Sequence, residues 1–204
     1  MKIDSGFEFL IKIIILGDSG VGKTNFITRF AENKFSTIHT TTIGIDYKSK
    51  IIKLPTSKKS IKMQVWDTAG QERFMSINKN LFHKIQGIIL MYDITERESF
   101  EHITNWLGVI NQSVNNKPIV IVGNKADLSD ERRIVTIDEG KDIAEKNDAL
   151  FFETSGATGE NVDKIFEEIG EEIYQKIIDE RNEMEESTRK TLRQRNKTKR
   201  KCCG

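Results

Sequence analysis

The sequence predicts an α/β fold in which a mostly parallel β-sheet carries helices on both faces. Apolar runs of strand length alternate along the chain with longer segments that have helical spacing of apolar residues, a pattern typical of parallel sheets. The chain of 204 residues is long enough for one domain with a single core. With 37% hydrophobic residues, 31% charged residues and only 2 Pro, its composition excludes collagenous, disulfide-stapled and wholly disordered chains.

Strand and helix segments follow one another in a regular order. The segment 9–16 is strongly β-branched and is predicted to be a buried strand. Segments 43–54 and 61–66 alternate polar and apolar residues and are joined by a hairpin at 55–60. The remaining predicted strands are 87–92, 119–122 and 149–153, and the predicted helices are 25–32, 99–114, 138–146 and 162–179.

Charge divides the chain into two parts. The formal net charge is +1, but the segment from Ser187 to Gly204 holds eight basic residues and no acid, which leaves residues 1–186 at about −7. The apolar periodicity fades from about Arg181. We therefore predict a folded domain at 1–180 and a disordered basic tail at 181–204.

The two cysteines and the apolar start of the chain exclude several classes of protein. Cys202 and Cys203 are adjacent, so they cannot form a disulfide framework or a cysteine metal site, and a reducing cytosolic setting fits. The apolar segment 7–16 is interrupted by Glu8 and Lys12 and has no small-residue cleavage site after it. We expect neither a signal peptide nor a transmembrane helix.

A phosphate-binding loop is indicated by the pattern GxxxxGK followed by Ser or Thr, between the first predicted strand and the first predicted helix. Glycines let backbone N–H groups surround phosphate oxygens, and the helix N-terminus adds positive potential. Lys23 would reach the β and γ phosphates, and the Thr24 hydroxyl would ligate Mg²⁺. The residues of this loop are Gly17, Asp18, Ser19, Gly20, Val21, Gly22, Lys23 and Thr24.

A second motif specifies the base. Asn124, Lys125, Ala126 and Asp127 follow the apolar run 119–122. The Asp127 carboxylate can accept hydrogen bonds from the N1–H and the exocyclic amine of guanine, whereas adenine has no such pair of donors on that edge. A motif of this kind is more often a solvated turn when it stands alone. Its position after a strand and downstream of a phosphate loop favours GTP binding instead.

Three further segments complete a set of five motifs: TIGIDY at 42–47, WDTAGQE at 66–72 and ETSG at 153–156. In this order the motifs resemble those of the Ras superfamily of small GTPases over residues 9–178. The resemblance implies the P-loop GTPase fold, or G domain, with three layers and a mostly parallel six-stranded sheet that includes one antiparallel edge strand. It also implies an enzyme that hydrolyses GTP to GDP and phosphate with Mg²⁺.

The resemblance implies roles for residues around the phosphates. Asp67 would hold Mg²⁺ through water, and Thr42 would close over the metal only in the triphosphate state. The Gly70 amide would contact the γ-phosphate, and the Gln71 carboxamide would orient the attacking water as the catalytic residue. No stabilising arginine can be named in the chain, so we expect an activating protein to supply one.

Around the base, the resemblance implies that Phe35 packs against the guanine edge and that the Lys125 stem covers the opposite side. The alternative for Phe35 is an ordinary core position. Ser155 and the backbone N–H of Gly156 would support guanine O6. Because Gly156 and Ala157 replace the usual Ala-Lys pair, we expect a looser loop and a lower affinity for nucleotide.

Several strings, including IGIDY at 43–47 and YDIT at 92–95, are similar to the Rab family in particular. The surface expected to face effectors consists of His39, Thr40, Thr41, Ile43, Gly44, Ile45, Asp46, Tyr47, Trp66 and Leu81. Leu81 stands where Rabs usually have a tyrosine, which leaves effector identity open. The histidines His39, His83 and His102 lack metal-like spacing and are interpreted as surface or partner-facing positions.

The end of the chain resembles that of doubly geranylgeranylated Rabs, because one residue follows the Cys202-Cys203 pair. Two lipid chains give stable membrane attachment, and the basic residues would add attraction to an anionic surface. The alternative for the tail is a nuclear-localisation or nucleic-acid-binding arm. The cysteine pair favours lipidation, and we expect no nucleic-acid partner.

Together these features predict a molecular switch that cycles between GTP and GDP and regulates vesicle traffic. Expected partners are a guanine nucleotide exchange factor, a GTPase-activating protein, a GDP dissociation inhibitor, a prenylation escort protein and GTP-state effectors; the G domain itself is expected to be monomeric. The expected location is the cytoplasmic face of intracellular or plasma membranes, with a cytosolic pool. The alternative is a membrane-anchored interaction protein that binds nucleotide but barely hydrolyses it.

Overall fold

A six-stranded β-sheet forms the centre of the computed structural model, which describes residues 6–37, 45–68, 82–113 and 116–201. Across the sheet the strands run in the order β2-β3-β1-β4-β5-β6. Their bounds are Phe9–Leu16 (β1), Ile45–Lys53 (β2), Ser60–Thr68 (β3), Gly87–Asp93 (β4), Ile119–Asn124 (β5) and Leu150–Glu153 (β6). The edge strand β2 pairs with β3 in antiparallel orientation, and the other pairs are parallel. The predicted fold class is confirmed.

The central strands are buried on both faces. Every residue of β4 is buried. The side chains of β1 alternate between two core clusters, with Ile11, Ile13 and Ile15 in one and Ile14 and Leu16 in the other. Both faces of the sheet therefore exclude water, which explains why these strands are continuous apolar runs.

Among the described residues, four helices of nine or more residues cover the sheet. Their bounds are Lys23–Glu32 (α1), Arg97–Ser113 (α2), Ile137–Glu145 (α3) and Val162–Lys201 (α4). On one face α1 meets α4, where the rings of Phe30 and Phe166 stack with their centroids 3.7 Å apart. On the other face α2 contributes Ile103, Leu107 and Ile110 to the core. All four helices that the sequence predicts are present.

Helix α4 extends farther than the sequence predicts. Its contacts with the core end at the partly buried Ile177, and side chains 179–189 are exposed. The backbone nevertheless remains helical to the end of α4, although the sequence predicts a disordered tail from 181. No Gly or Pro interrupts this half of the helix, and Glu185 forms i,i+4 ion pairs with Arg181 and Arg189. Neither α4 nor any other helix in the described ranges has the length and apolar character needed to cross a membrane.

The carboxylate of Asp18 ties α2 to the loop that follows β1. Trp106 donates its indole N–H to one carboxylate oxygen at 3.0 Å, and Nδ1 of His102 lies 2.5 Å from the other oxygen. The hydrogen bond to Asp18 raises the pKa of His102 above its ordinary value of 6.5, and Glu98 and Glu101 act in the same direction. His102 lies at the surface with its side chain 31% exposed, and its ring also binds a carboxylate of the same chain, a contact that the sequence does not predict.

Replacing His102 with Asn should destabilise the protein more at low pH than at high pH. A histidine whose pKa is raised by folding stabilises the folded state fully below its unfolded pKa, near 6.5, and loses this effect as the pH rises through the folded value. We expect the free energy of unfolding, measured by urea denaturation, to fall by about 1 kcal/mol at pH 6 and by less at pH 9. The exposed His83→Asn substitution is the control. An equal loss at both pH values would contradict the ion pair.

Candidate nucleotide-binding site

The predicted motifs follow the carboxyl ends of parallel strands at one edge of the sheet. At β1 the winding of the chain reverses, because β3 lies on one side of β1 and β4 lies on the other. Ligands of open α/β sheets bind in the crevice that such a reversal leaves beyond the carboxyl ends of the strands. The fold therefore brings the loop after β1 close to Asn124 at the end of β5 and to the loop after β6.

Two glycines are required by the geometry of the loop at 17–22. Gly17 has a φ of 136°, and a Cβ there would lie 2.1 Å from the carbonyl oxygen of Met91 in β4. Gly22 has a φ of 98°, and a Cβ there would lie 2.5 Å from Nδ2 of Asn124. A side chain at either position would displace the loop. The backbone of the loop therefore lies directly against β4 and the end of β5.

Lys23 is the first residue of α1 and is only 5% exposed. Its ammonium donates to the carbonyl oxygens of Gly17 and Asp18 at 2.8 and 2.5 Å, so the loop curls around it. The first turn of α1 contains no acidic residue to offset the positive potential of the helix N-terminus. A buried cation next to such a terminus is suited to binding anions, phosphates among them.

Thr24 and Asp67 form the part of the site that fits a metal ion. The Thr24 hydroxyl donates to Oδ2 of Asp67 at 2.7 Å, and Asp67 is only 6% exposed. Hard oxygen donors of this kind suit Mg²⁺, and a nearby cation would compensate the buried carboxylate. Thr42, the third predicted ligand, lies outside the described residues. Within the described ranges, no group of three or more His, Cys, Asp or Glu residues is placed to hold a metal.

Asn124 joins the loop after β1 to the loop after β6. Its side chain is buried, donates from Nδ2 to the Val21 carbonyl at 2.7 Å, and accepts the Gly156 N–H at Oδ1 at 3.1 Å. The predicted phosphate loop and the predicted base loop are therefore held at a fixed separation by one amide.

The predicted base motif contacts the loop after β6 and the end of β4. Ser155 donates its hydroxyl to Oδ1 of Asp127 at 2.5 Å. Lys125 has a φ of 68°, and its ammonium lies 2.5 Å from Oδ2 of Asp93. Four predicted base-site residues, Asn124, Lys125, Asp127 and Ser155, thus come together in the fold.

Phe35 follows α1 and is 43% exposed. It belongs to neither core cluster, so the alternative that it is an ordinary core residue is wrong. Asn25 holds the chain beside it, because its side-chain amide bonds both the carbonyl and the N–H of Ser36 at 2.9 and 3.3 Å. An exposed aromatic ring therefore stands next to the site.

Part of the predicted effector surface is described. Tyr47 is half exposed, and its ring lies 5.4 Å from that of Trp66 between centroids. Asp46 precedes it, exposed on β2, and Ile45 begins this strand. The remaining predicted site residues lie outside the described residues: His39, Thr40, Thr41, Thr42, Ile43, Gly44, Gly70, Gln71, Leu81, Cys202 and Cys203.

Four residues that hold the site together are not predicted from the sequence. They are Asp93, Arg29, His102 and Trp106. Asp93 could have been found as an acid at the carboxyl end of a buried strand, because such positions line the crevice. The other three lie on helices, where no local pattern indicates a partner distant in the chain.

Comparison with known proteins identifies the family. The model of the Ras family matches residues 12–175. The chain is 42% identical over 179 residues to Ras-related protein RABE1e of Arabidopsis thaliana, an alignment that covers 86% of this chain and 80% of the relative. It is 39% identical over 205 residues to Ras-related protein RAB1BV of Beta vulgaris, covering 97% and 94%. It is also 42% identical over 184 residues to Ras-related protein Rab-27B of Bos taurus, covering 85% and 84%.

The matched region contains the crevice and the two loops that Asn124 joins, those after β1 and β6. Members of this family bind GTP and GDP with Mg²⁺. This chain is therefore a GTPase of the Ras family, and it belongs among the Rab proteins.

Proposed function

We propose that this GTPase is a molecular switch that recruits effectors when GTP is bound and thereby regulates vesicle and membrane traffic. The observation that supports the proposal is the Asn124 side chain, because it joins the loop after β1, which we expect to bind phosphates, to the loop after β6, which we expect to contact guanine. Because the two loops lie at a fixed distance, one bound nucleotide could contact the first loop with its phosphates and the second with its base. Such a site can select a nucleotide by its base and by its phosphates together.

The phosphates would lie in the loop 17–24, along the N–H groups at the start of α1. Lys23 supports this, since its buried ammonium is already directed into the loop and would exchange carbonyl partners for phosphate oxygens. Thr24, Thr42 and Asp67 would hold Mg²⁺, which neutralises charge on the phosphates when it is bound.

The base would be read by Asp127, whose carboxylate accepts from guanine N1–H and the exocyclic amine. Ser155 donates its hydroxyl to this carboxylate and would therefore support the base through Asp127. The Gly156 N–H, which Asn124 accepts in this structure, would be shared with guanine O6 in a three-centre hydrogen bond. Phe35 and the stem of Lys125 would flank the two sides of the base. The exposure of Phe35 supports this role, because an apolar ring at the surface gains from covering a ligand.

In the hydrolysis step, Gln71 would orient the attacking water and the Gly70 amide would contact the γ-phosphate. Positioning and charge stabilisation supply most of the catalysis of phosphoryl transfer. We expect a GTPase-activating protein to supply the missing arginine. Because Thr42 and Gly70 would contact the γ-phosphate region, the segments around them would be ordered with GTP and loosened after hydrolysis.

Effectors would bind the GTP-ordered segments beside the exposed Tyr47, whose ring lies against the partly buried Trp66 and supplies aromatic area suited to an interface. An exchange factor would reload the switch. Geranylgeranyl groups on Cys202 and Cys203 would attach it to the cytoplasmic face of a membrane after delivery by an escort protein. A GDP dissociation inhibitor would maintain the cytosolic pool.

Replacing Gln71 with Leu should slow GTP hydrolysis by about tenfold or more, because the attacking water loses its orienting group. Single-turnover phosphate release measures the rate, and nucleotide affinity measured in parallel should change little. Gln175→Leu, an exposed glutamine on α4, is the matched control. Rates near zero in both the wild type and Gln71→Leu would instead favour the interaction protein with little hydrolysis.

Replacing Asp127 with Asn should move the base preference from guanine toward xanthine. Asn keeps an oxygen for the Ser155 hydroxyl but presents an N–H₂ donor where guanine also donates, whereas xanthine has a carbonyl there. We expect GDP to bind about tenfold to a hundredfold more weakly. Competition between GDP and xanthosine diphosphate measures the preference, with Asp179→Asn on α4 as control. An unchanged preference would exclude Asp127 as the base reader.

Both cysteines should carry a lipid in protein purified from eukaryotic cells. Intact-mass spectrometry before and after proteolysis locates the groups, and membrane fractionation gives the consequence. Because one chain binds membranes only marginally, Cys202→Ser or Cys203→Ser alone should shift much of the protein to the soluble fraction. Unmodified Cys202 and Cys203 in the wild type would contradict the lipid anchor.

A further inference from the structure

Arg29 reaches from α1 to the loop after β6, the loop in which the proposed function places the reading of guanine O6. Its Nε donates to the Gly156 carbonyl at 3.1 Å, and its Nη2 donates to the Ala157 carbonyl at 2.5 Å. Its remaining nitrogen bonds the carbonyl and the side chain of Asn33 at the end of α1, at 3.3 and 3.1 Å. One planar group thus joins two successive carbonyls of the loop to the end of a helix.

The inner side of the same loop is held by different groups. The N–H of Gly156 is accepted by Asn124, and the N–H groups of Ala157 and Thr158 are accepted by the Ser155 hydroxyl at 3.2 and 3.0 Å. The amides of the loop are therefore engaged from inside the site. Arg29 engages its carbonyls from the opposite side.

Packing alone gives the outer side of the loop little support. A cavity of about 200 Å³ opens there, lined by Arg29, Asn33 and Lys50 among others. At Gly159, which has a φ of 91°, a Cβ would lie 3.5 Å from the Arg29 stem, so the stem runs close along this turn. Hydrogen bonds from the Arg29 guanidinium, rather than packed side chains, therefore restrain this side of the loop.

Gly156 makes this restraint more important. Its Cβ position has room, since the nearest atom would be the backbone nitrogen of Phe26 at 3.4 Å, so sterics do not require a glycine. A glycine without such a requirement adds backbone freedom that folding must remove. The sequence predicts a looser loop at Gly156, and Arg29 on α1 restrains that loop through its carbonyls.

We propose that Arg29 is a positioning residue for base recognition: by holding the carbonyls of Gly156 and Ala157, it fixes the Gly156 N–H that Asn124 accepts and that guanine O6 would share. This inference rests on the proposed function. Arg29 would act through the loop, since its guanidinium donates to Gly156, Ala157 and Asn33. Its loss should therefore weaken binding of bases that carry O6 and leave other bases nearly unaffected.

The test compares GDP with the diphosphate of 2-aminopurine riboside, which keeps the exocyclic amine but lacks both O6 and the N1–H that Asp127 would accept. The diphosphate of 6-thioguanosine keeps the N1–H and replaces O6 with sulfur, a weaker acceptor, so it separates the two contacts and should lose less affinity than GDP in the Arg29 variants. Equilibrium binding to the full chain is measured for all three nucleotides, using 2-aminopurine fluorescence for the second. In Arg29→Ala, GDP should bind about threefold to tenfold more weakly while the 2-aminopurine nucleotide changes by less than about twofold. Arg29→Lys keeps the charge and the stem but not the fork, and should show a smaller change in the same ratio.

Arg97→Ala is the matched control, because Arg97 also donates to a backbone carbonyl, that of Ile134 at 2.9 Å, away from the site. Equal weakening of GDP and the 2-aminopurine nucleotide in the Arg29 variants would overturn the inference and assign Arg29 to general stability. Unchanged GDP binding would overturn it as well. A wild type that binds these two nucleotides equally would instead overturn the proposed reading of O6, and with it the inference.

Discussion

The site depends on the hydrogen bonds of one buried amide, that of Asn124. It presents a donor to the Val21 carbonyl and an acceptor to the Gly156 N–H, and a carboxylate could satisfy only one of these partners. The other would be left buried without a hydrogen bond, at a cost of about 1–3 kcal/mol. The close approach of Asn124 to Gly22 explains in turn why that loop position excludes a side chain. The positions of Gly22, the Asn124 side chain and the loop after β6 therefore depend on one another.

Charge compensation is the second principle of the site. A nucleotide polyphosphate is highly anionic, yet the loop that would receive it contains Asp18 and the neighbouring strand end contains Asp67. Asp18 is turned toward α2 and bonded by His102 and Trp106, and Asp67 is bonded by Thr24. The hydrogen bond from the neutral Thr24 hydroxyl leaves the negative charge of Asp67 in place, and a bound Mg²⁺ would compensate it. The buried ammonium of Lys23 and the N-terminus of α1 supply the positive potential for phosphates. An acidic domain can thus bind an anion.

The sequence predicts the fold and the local motifs well because both depend on patterns among residues that are close together in the chain. Apolar runs predict the strands, and the spacing of Gly17, Gly22, Lys23 and Thr24 predicts the first loop. Tertiary partners are not encoded in that way: nothing near Arg29 indicates that it will meet Ala157, and nothing near His102 indicates Asp18. The end of α4 is missed for the opposite reason. Its charged, mostly polar sequence suggests a tail without structure, whereas helix propensity and i,i+4 ion pairs extend the helix beyond its packing.

The extended α4 changes how the basic tail would present its cysteines. The net charge of +1 is the sum of an acidic domain and a basic tail whose charges nearly cancel. At 1.5 Å per residue, a helix from Ile177 to Lys201 carries the chain end about 36 Å from the last core contact. Side chains 179–189 of this helix are exposed, and a helix without packing partners is only marginally stable in water. Its unfolding therefore costs little, and the tail can exchange between a straight spacer and a flexible tether. With the proposed lipid anchor, the acidic domain would gain distance from an anionic membrane in the first form, and the anchored end would be easier to withdraw in the second.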